Sequence, residues 1–237
     1  MGEGMDNDAE LMPLISSTNI ACGYHAGDED TMKRTIELAL KNNVAIGAHP
    51  GFSDRDHFGR RELNLNEEEF YHLVLDQLVL FKKISDSYQI KLHHVKPHGA
   101  MYNMAARNSY LARGIVRAVR EVDENLMLYG LSGSHLISEA NLLRVKNASE
   151  VFADRTYQDD GSLTPRSQPN ALIDDDAKCI SQVLQMINEQ TVTSVNGHNI
   201  LIVAETICLH GDGAHAVEFA RTIRDSLEKN QVEIKAI

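Results

Sequence analysis

The sequence predicts an α/β fold with a mainly parallel β-sheet, and two features of its pattern lead to this prediction. Short β-prone runs alternate with amphipathic helical stretches about six times along the chain, as in proteins with parallel sheets. Polar and titratable residues also cluster just after the predicted strands, where parallel α/β proteins place their active sites. An open doubly wound sheet and a closed barrel both fit this pattern.

The first half of the chain contains three predicted strands, with a helix after each of the first two. Residues 18–22 form the first strand, and Asp28 is placed to cap the helix that follows it. Residues 44–48 form the second strand. After a polar loop, Asn66 is placed to cap a long helix whose apolar residues recur at three-to-four spacing. Residues 92–95 form the third strand.

The second half continues the alternation of strands and helices. The dipeptide Asn196-Gly197 lies between β-prone runs and predicts a two-residue hairpin. We find no linker and no repeat, so residues 1–237 are expected to form a single domain. The remaining predicted strands cover residues 126–131, 145–152 and 206–209. The remaining predicted helices are one capped by Ser109, a short one ending at Asn141, and those over residues 175–188 and 214–229.

The composition excludes several classes of protein. The formal net charge is -11, which disfavours binding to nucleic acid or to an anionic membrane. No run of apolar residues is long enough for a membrane-spanning helix, and the polar start of the chain lacks a signal-peptide pattern. Cys22, Cys179 and Cys208 form no CxxC pair and are interpreted as buried free thiols. We therefore expect a cytoplasmic protein.

The polar residues that follow the predicted strands are the candidate site. The carboxyl ends of parallel strands share one face, so these side chains should converge although they are far apart in sequence. Asp28 and Asp212 also have a structural interpretation as helix caps. Histidines in loops and helices elsewhere are interpreted as having solvated or local roles, while His93 and His94 lie inside a strand. The acidic runs over residues 67–69 and 174–176 are interpreted as capping charge at helix starts. The candidates are His25, His49, Lys96, His98, Glu150, Asp154, Arg155, His210 and Asp212.

Two kinds of chemistry fit this set of side chains. Neutral histidines and carboxylates can hold a divalent metal that activates water, and His25 and His49 are the candidates for such ligands. Histidine and aspartate can equally pass protons in a hydrolysis, with Lys96 or Arg155 holding a carboxylate or an oxyanion. The sequence contains no HExxH, GxxxxGK[ST] or GxSxG motif, and no GxGxxG after a strand. Any nucleotide must therefore be bound by an unfamiliar loop or by another subunit.

Several longer stretches together resemble one family. Residues 11–28 contain Ser-Ser-Thr-Asn-Ile-Ala-Cys-Gly-Tyr-His-Ala-Gly-Asp, and residues 94–103 read His-Val-Lys-Pro-His-Gly-Ala-Met-Tyr-Asn. These motifs are similar to those of the LamB/YcsF family of lactam-utilisation proteins, which supplies the A subunit of 5-oxoprolinase. The resemblance runs in order over nearly the whole chain. Further matching stretches are residues 44–51, 58–61, 149–155, 165–169 and 207–212.

The resemblance implies a fold and an activity. The implied fold is a seven-stranded (β/α) barrel, similar to the glycoside hydrolase/deacetylase superfamily. The implied reaction is the ATP-dependent ring opening of 5-oxoproline to glutamate, together with partner subunits B and C. ATP would be a co-substrate handled with those partners. Neither the substrate nor the partners follow from the residue pattern alone.

One departure from the family concerns the start of the chain. Family members have a first strand with an acidic residue before a Gly-Glu pair, whereas this sequence begins at Met1 with Gly2-Glu3. We therefore expect the barrel to lack its first strand and to expose a sheet edge. Because glycines flank Glu3 on both sides, as in a strand-end loop, Glu3 is retained as a site candidate.

The expected roles of these residues follow from this resemblance and from their placement. Asp154 or His98 would be the base, and Lys96 and Arg155 would hold the substrate carboxylate or the developing anion. His25, His49 and His210 would carry protons or bind a metal. Glu150, Asp212 and Glu3 are the remaining candidates for substrate binding.

Two other functions stay open from the sequence. One is a metal-dependent deacetylase of N-acyl sugars, suggested by the barrel type and the histidine content. The other is a non-enzymatic binding or scaffold subunit whose pocket only delivers substrate. The residues alone do not decide which side chain is the base, whether a metal is bound, or which oligomer forms.

Overall fold

A curled parallel β-sheet with helices packed against it forms the fold, as seen in a computed structural model that describes residues 1–213 and 215–237. The predicted α/β class with a parallel sheet is confirmed. In the described residues, no helix has both the length and the apolar character needed to cross a membrane. The strands are β1 (Ser17–Ala21), β2 (Ala45–His49), β3 (His94–Val95), β4 (Met127–Leu131), β5 (Lys146–Phe152), β6 (Thr191–Thr193), β7 (Asn199–Leu201) and β8 (Thr206–Cys208).

The main sheet has six strands in the order β1, β2, β3, β4, β5, β8, and every neighbouring pair is parallel. All six strands therefore end on the same rim of the sheet, which places the loops after them together. Strands β6 and β7 form a separate antiparallel hairpin around Asn196 and Gly197, as predicted, but residues 194–198 connect the strands where a two-residue turn was expected. Gly197 has a φ of 82°, a left-handed conformation that this turn requires.

The described sheet has six strands where the resemblance implies seven. At the outer edge of β1, Met1 makes two backbone hydrogen bonds: its amino nitrogen lies 2.9 Å from Asn19 O, and Ala21 N lies 3.1 Å from Met1 O. Two hydrogen bonds from one residue do not make a strand ladder, so β1 and β8 are the two edges of the curled sheet.

The helices lie between the strands in the predicted alternation. Asp28 and Asp175 cap their helices by accepting hydrogen bonds from backbone amides, and Asn66 forms a capping box with Glu69, as the sequence predicts. The helices are α1 (Asp8–Leu11), α2 (Glu29–Lys41), α3 (Glu67–Ser87), α4 (Gly99–Arg107), α5 (Ser109–Val122), α6 (His135–Leu142), α7 (Asp176–Asn188) and α8 (Ala216–Lys229).

Several details differ from the prediction. Helices α1 and α4 are not predicted by the sequence pattern. Asn108, and not Ser109, caps α5, because the Asn108 side chain accepts hydrogen bonds from two backbone amides at the start of that helix. The last helix was predicted to begin at Ala214, which lies outside the described residues; the helix that is described begins at Ala216.

Side chains of α1 and α8 pack together near the two edge strands. Leu11, Ala216 and Ala220 form a small buried cluster that joins α1 to α8. Arg224 of α8 also donates a hydrogen bond to the backbone oxygen of Leu14, at 3.3 Å. These contacts lie beside the edge strands, and β1 and β8 have no strand partner on their outer sides among the described residues. A single large apolar core fills the rest of the fold.

Candidate active site

A cavity of about 1100 Å³ opens at the rim where the parallel strands end. The candidates Asp154 and His25 do not line this cavity; Asp154 lies behind His210, and His25 lies behind His98. Most of the candidates predicted from the sequence do line it, as expected for residues that follow parallel strands. They are Glu3, His49, Lys96, His98, Glu150, Arg155, His210 and Asp212.

Three histidines and Glu3 form one buried cluster on one side of the cavity. The ring of His25 stacks on that of His98, with ring centres 3.9 Å apart and planes 2° from parallel. His98 Nδ1 lies 3.0 Å from His49 Nε2, and His25 Nε2 lies 3.0 Å from Glu3 Oε1. One atom from each of these residues lies within 4.8 Å of the others, so they form a single group.

A glycine makes room for this cluster. A Cβ atom on Gly59 would lie 2.9 Å from Cβ of His25 and 3.1 Å from the His98 ring, closer than normal packing allows. Gly59 also has a φ of 61°, which other residues rarely adopt. The loop after β2 can therefore close over the histidine rings only with glycine at this position.

Burial keeps two of these histidines neutral. Burial and the nearby His98 hold the pKa of His49 well below its usual value. Burial and the neighbouring His25 likewise lower the pKa of His98, to about 3. Burial alone would raise the pKa of the Glu3 carboxyl, but the Met1 amino group and the hydrogen bond with His25 outweigh burial and lower it. At neutral pH the cluster therefore contains the neutral rings of His49 and His98, the ring of His25 and the carboxylate of Glu3.

A second buried group surrounds Lys96 beside the histidine cluster. Lys96 Nζ lies 2.7 Å from Glu150 Oε1 and 2.9 Å from the sulfur of Cys208. The hydroxyl of Tyr102 donates to the other Glu150 oxygen at 2.8 Å. Burial works against the charge on Lys96, but the hydrogen bonds with Cys208 and Glu150 and the negative charge of Glu150 more than compensate and raise the pKa of the amine. Lys96 therefore carries a stable positive charge at the cavity wall.

The Cys208 thiol and the Tyr102 hydroxyl stay protonated in this group. Burial raises the pKa of Cys208 to about 12, although Lys96 acts in the opposite direction. Burial and the adjacent Glu150 carboxylate raise the pKa of Tyr102 well above its usual value. Cys208 is thus a neutral contact of the ammonium and not a thiolate nucleophile.

Asp154 and His210 form a hydrogen-bonded pair near Lys96. His210 Nδ1 lies 2.7 and 2.9 Å from the two Asp154 carboxylate oxygens. Burial alone would raise the pKa of Asp154, but the hydrogen bond with His210, the charge of that ring and the nearby Arg166 together outweigh burial and lower that pKa. The His210 ring stacks on Phe152 with ring centres 5.7 Å apart, and Lys96 Nζ lies 5.0 Å from the centre of the Phe152 ring. His210 thus lies on the same cavity wall as Lys96.

Arg155 and Asp212 are already engaged in hydrogen bonds with other groups of the protein. The Arg155 guanidinium donates to the backbone oxygens of Ala171 at 3.1 Å and Thr164 at 2.5 Å, so it holds the loop over residues 164–171. Burial and the nearby Arg166 lower the pKa of Arg155 to about 10. Asp212 accepts a hydrogen bond from Arg60 at 2.6 Å.

A family model described as the LamB/YcsF family matches residues 1–237. The chain belongs to the LamB/YcsF family. Among curated relatives, a protein from Tolumonas auensis that is named as the A subunit of 5-oxoprolinase is 51% identical over 233 residues, which cover 98% of this chain and 93% of the relative. A protein of the same name from Shouchella clausii is 52% identical over 97% of this chain and 91% of its own length.

A solved structure has the same fold. The crystal structure of a lactam utilization protein from Thermus thermophilus matches with a TM-score of 0.93 and 38% sequence identity. The match covers 100% of this chain and 97% of that one. The fold that carries the strand-end rim is therefore shared with that protein.

Sequence reasoning missed three residues of this LamB/YcsF site. Tyr102 lies on α4, a helix that was not predicted, so nothing indicated that its hydroxyl would reach Glu150. Cys208 was interpreted as a buried free thiol, and its contact with Lys96 depends on the pairing of distant strands. Arg60 belongs to a matched family motif, which was the only signal for its position beside Asp212.

The arrangement supports two chemical operations in one cavity. Lys96 offers a fixed positive charge for a carboxylate or a developing anion. His210 offers a ring nitrogen whose partner nitrogen is oriented by Asp154, an arrangement suited to accepting a proton from water. The donor atoms of Glu3, His25, His49 and His98 are types that hold a divalent transition metal.

Proposed function

We propose that this chain is the A subunit of an ATP-dependent 5-oxoprolinase, a hydrolase that opens the ring of 5-oxo-L-proline to form L-glutamate. The observation that carries the proposal is about 50% identity, over nearly the full length, to proteins named as the A subunit of 5-oxoprolinase. The word subunit in those names implies further chains. We assign the phosphate chemistry of ATP to partner subunits B and C, because this sequence has no recognisable phosphate-binding loop.

The role of ATP follows from the chemistry of the lactam. An unstrained five-membered amide is a poor electrophile, and its opening needs to be driven. Transfer of the terminal phosphoryl group of ATP to the amide oxygen makes the ring carbon more electrophilic. Water then adds to that carbon, the bond to the ring nitrogen breaks, and the nitrogen takes a proton to become the amine of glutamate. A second water releases phosphate, which balances the hydrolysis of both ATP and the lactam.

The proposed roles in this chain follow the geometry of the cavity. His210 takes the proton from the attacking water, and Asp154, which lies behind it, orients the ring. Lys96 holds the substrate carboxylate or the oxygen that gains negative charge, while Glu150 and Tyr102 keep the ammonium in place. Arg155 acts indirectly by holding the loop that covers this wall.

The direct test measures glutamate release from 5-oxo-L-proline with ATP. The purified chain is assayed alone and then with its B and C partners, and ADP is measured in the same reactions. We expect glutamate only in the complete mixture, with ADP formed in step. Failure of the complete mixture to release glutamate would refute the proposal. ATP-independent removal of an acetyl group from an N-acetyl sugar by the chain alone would favour the deacetylase instead.

Variants of His210 and Asp154 test the roles of these residues within the site. In the complete mixture, His210→Gln should lower kcat by about 10²- to 10⁴-fold, the usual effect of losing a general base. Asp154→Asn should also lower kcat, and the double variant should lose little more than His210→Gln alone, because the two residues act as one unit. The exposed His72 provides the control His72→Gln, which should keep full activity.

Wild-type turnover in both His210→Gln and Asp154→Asn would show that the pair has no catalytic role. In that case, binding of 5-oxoproline by the same variants would identify the chain as one that only delivers substrate. If the fold-decrease in kcat of the double variant equals the product of the two single decreases, the two residues act independently and Asp154 does not work through His210.

A further inference from the structure

The cluster of Glu3, His25, His49 and His98 has hydrogen bonds that determine which ring nitrogens carry protons. His49 Nδ1 lies 2.6 Å from the backbone oxygen of Lys96, and His98 Nε2 lies 2.8 Å from that of Phe58. A carbonyl oxygen can only accept, so each of these nitrogens must donate. A neutral imidazole has one N–H group, so the other nitrogen of each ring has only a lone pair.

Those two remaining nitrogens face each other. His49 Nε2 and His98 Nδ1 are 3.0 Å apart, a hydrogen-bond distance with no hydrogen to share. Two lone pairs at this distance repel unless a proton or a metal cation binds between them or beside them. Both rings are almost completely buried, with His49 8% and His98 6% exposed, where an imidazolium with no water around it is disfavoured, whereas a metal ion can bind all four donor atoms of the cluster at once. The paired lone pairs therefore point to a cation.

The two other members of the cluster complete a set of ligands. Glu3 Oε1 lies 3.7 Å from His98 Nδ1 and 3.0 Å from His25 Nε2. Four ligands at the 2.0–2.1 Å bond lengths of zinc lie roughly 3.3 Å apart at the corners of a tetrahedron. Three of the six separations between the donor atoms are 3.0, 3.7 and 3.0 Å, near this spacing, and all six are within 4.8 Å. The carboxylate also supplies negative charge that offsets a buried cation.

The surroundings of these residues resemble those of a metal site. Each of His49 and His98 donates its other ring nitrogen to a backbone carbonyl, which is how proteins orient metal-binding histidines. His25 Nδ1 is buried and has no hydrogen-bond partner among the described residues. A structural role in packing alone would not require three imidazoles and a carboxylate in one water-poor group.

We propose that Glu3, His25, His49 and His98 together bind one divalent transition-metal ion, with Zn²⁺ the ion that the donor set fits best. Because Glu3, His49 and His98 also line the large cavity, the ion would lie at its wall. A metal there supplies Lewis-acid chemistry toward a carbonyl oxygen or a bound water. The proposal concerns metal binding by this chain alone and does not depend on the 5-oxoprolinase assignment.

The test measures metal binding on the untagged, full-length chain after treatment with a chelator. Equilibrium dialysis with elemental analysis and calorimetric titration with Zn²⁺ give the stoichiometry and the affinity. Titration with Co²⁺ gives an absorption spectrum that reports the coordination geometry. We expect one tightly bound Zn²⁺ per chain, a higher Tm when Zn²⁺ is added, and a Co²⁺ spectrum typical of a four-coordinate site.

Variants locate the binding. His98→Gln should weaken Zn²⁺ binding by at least about 100-fold, and Glu3→Gln by about 10- to 100-fold, since removing a ligand costs at least as much as removing its supporting partner. The exposed residue His72 lies outside the cluster, so His72→Gln should bind Zn²⁺ as the wild type does. Circular dichroism of each variant checks that it is folded. Glu3→Gln preserves the size of the side chain and guards against loss of fold.

Two results would overturn the proposal: no stoichiometric Zn²⁺ binding by the wild type, or unchanged affinity in the folded His98→Gln and Glu3→Gln variants. Either result is separate from the enzyme assay. Glutamate release by the complete mixture without stoichiometric metal would leave the proposed activity intact and reject the metal site. Stoichiometric metal binding without glutamate release by the complete mixture would support the metal site and reject the proposed activity.

Discussion

Lys96 and Glu150 form an ion pair that is almost completely buried, and their partners explain why it is tolerated. Lys96 is 6% exposed and Glu150 is 1% exposed. Taking two charges out of water costs free energy that is recovered only when further hydrogen bonds satisfy both groups. Tyr102 donates to the carboxylate, and Cys208 contacts the ammonium, so each charge has a second neighbour. This charge is therefore held in position before substrate arrives.

His94 should make the stability of the protein depend on pH. It is fully buried, its Nε2 lies 3.0 Å from Asn19 Oδ1, and its ring stacks on Tyr129. Burial, then the nearby His93 and Lys96, hold the pKa of His94 well below its usual value. Above about pH 6.5 the ring is neutral in both the folded and unfolded chain and contributes no pH dependence. Below pH 6.5 the unfolded chain binds a proton that the folded chain does not, so stability falls.

The measurement is the free energy of unfolding by urea between pH 7.5 and about pH 5. His94 should contribute a loss of up to about 1.4 kcal/mol for each pH unit below 6.5. His94→Gln should be less stable at pH 7.5, because it loses the stack on Tyr129. Its free energy of unfolding should fall less steeply as the pH is lowered, by the amount that corresponds to about one proton fewer bound on unfolding. An unchanged slope in His94→Gln, equal to that of the control His72→Gln, would show that His94 is protonated in the folded protein.

At the scale of helices and strands, the sequence predicts helix caps correctly, because the contacts of a cap lie within one short segment. Caps at Asp28, Asn66 and Asp175 are side-chain contacts with amides a few residues away, so they could be predicted. Helix α4 was missed, because its start at Gly99 has a φ of 53° and no capping hydrogen bond, and the segment resembles a loop. Strand β3 has only two residues, and tertiary pairing defines its bounds.

The sequence predicts where the candidate site lies, but not which of its side chains contact one another. The rule that parallel strands end on one face placed His49, Lys96, His98 and His210 at the same rim, and the cavity there bears this out. The sequence could not show that two histidines would join Glu3 and His25, while His210 would pair with Asp154. Those groupings depend on the curl of the sheet and on loop paths, which side-chain type does not encode.

The contact between β2 and β3 makes Gly47 essential. The side chain of His94 on β3 lies over this position, so a Cβ on Gly47 would come within 2.1 Å of His94 Nε2. The two residues are paired in the sheet register, so neither strand can move away without breaking hydrogen bonds to its neighbour. A methyl group here must displace the imidazole or the backbone.

Gly47→Ala should therefore destabilise the protein by about 1–3 kcal/mol, the usual cost of forcing an extra group into a packed interior. Urea unfolding followed by circular dichroism measures the change. The control is Gly213→Ala, because an added Cβ at Gly213 meets no atom within 4 Å and should change stability by no more than about 0.5 kcal/mol. Equal stability of the Gly47→Ala and Gly213→Ala variants would contradict the close approach of β2 and β3.

On the scale of the whole molecule, one apolar core links the sheet to the helices on its outer face. The buried cluster includes residues from β1 through α8, from Ile20 to Leu227. The smaller cluster of Leu11, Ala216 and Ala220 joins the two ends of the chain across the gap between the sheet edges. Segments near both ends of the sequence pack against each other, and Met1 and Leu209 pack against both clusters, so the two clusters of the described residues are in contact.

This shared core leads us to expect a single cooperative unfolding transition for residues 1–237, as for one domain. Circular dichroism of the helices and tyrosine fluorescence should give the same midpoint, and the calorimetric and van't Hoff enthalpies should agree. For a chain of 237 residues the enthalpy near 60 °C should be about 170 kcal/mol, from about 0.7 kcal/mol for each residue. Scans should be made on metal-free protein, because a ligand that binds only the folded state shifts the midpoint with its concentration. Two separate transitions, or a van't Hoff enthalpy of about half the calorimetric value, would mean that the chain unfolds as two units and that the core is not continuous.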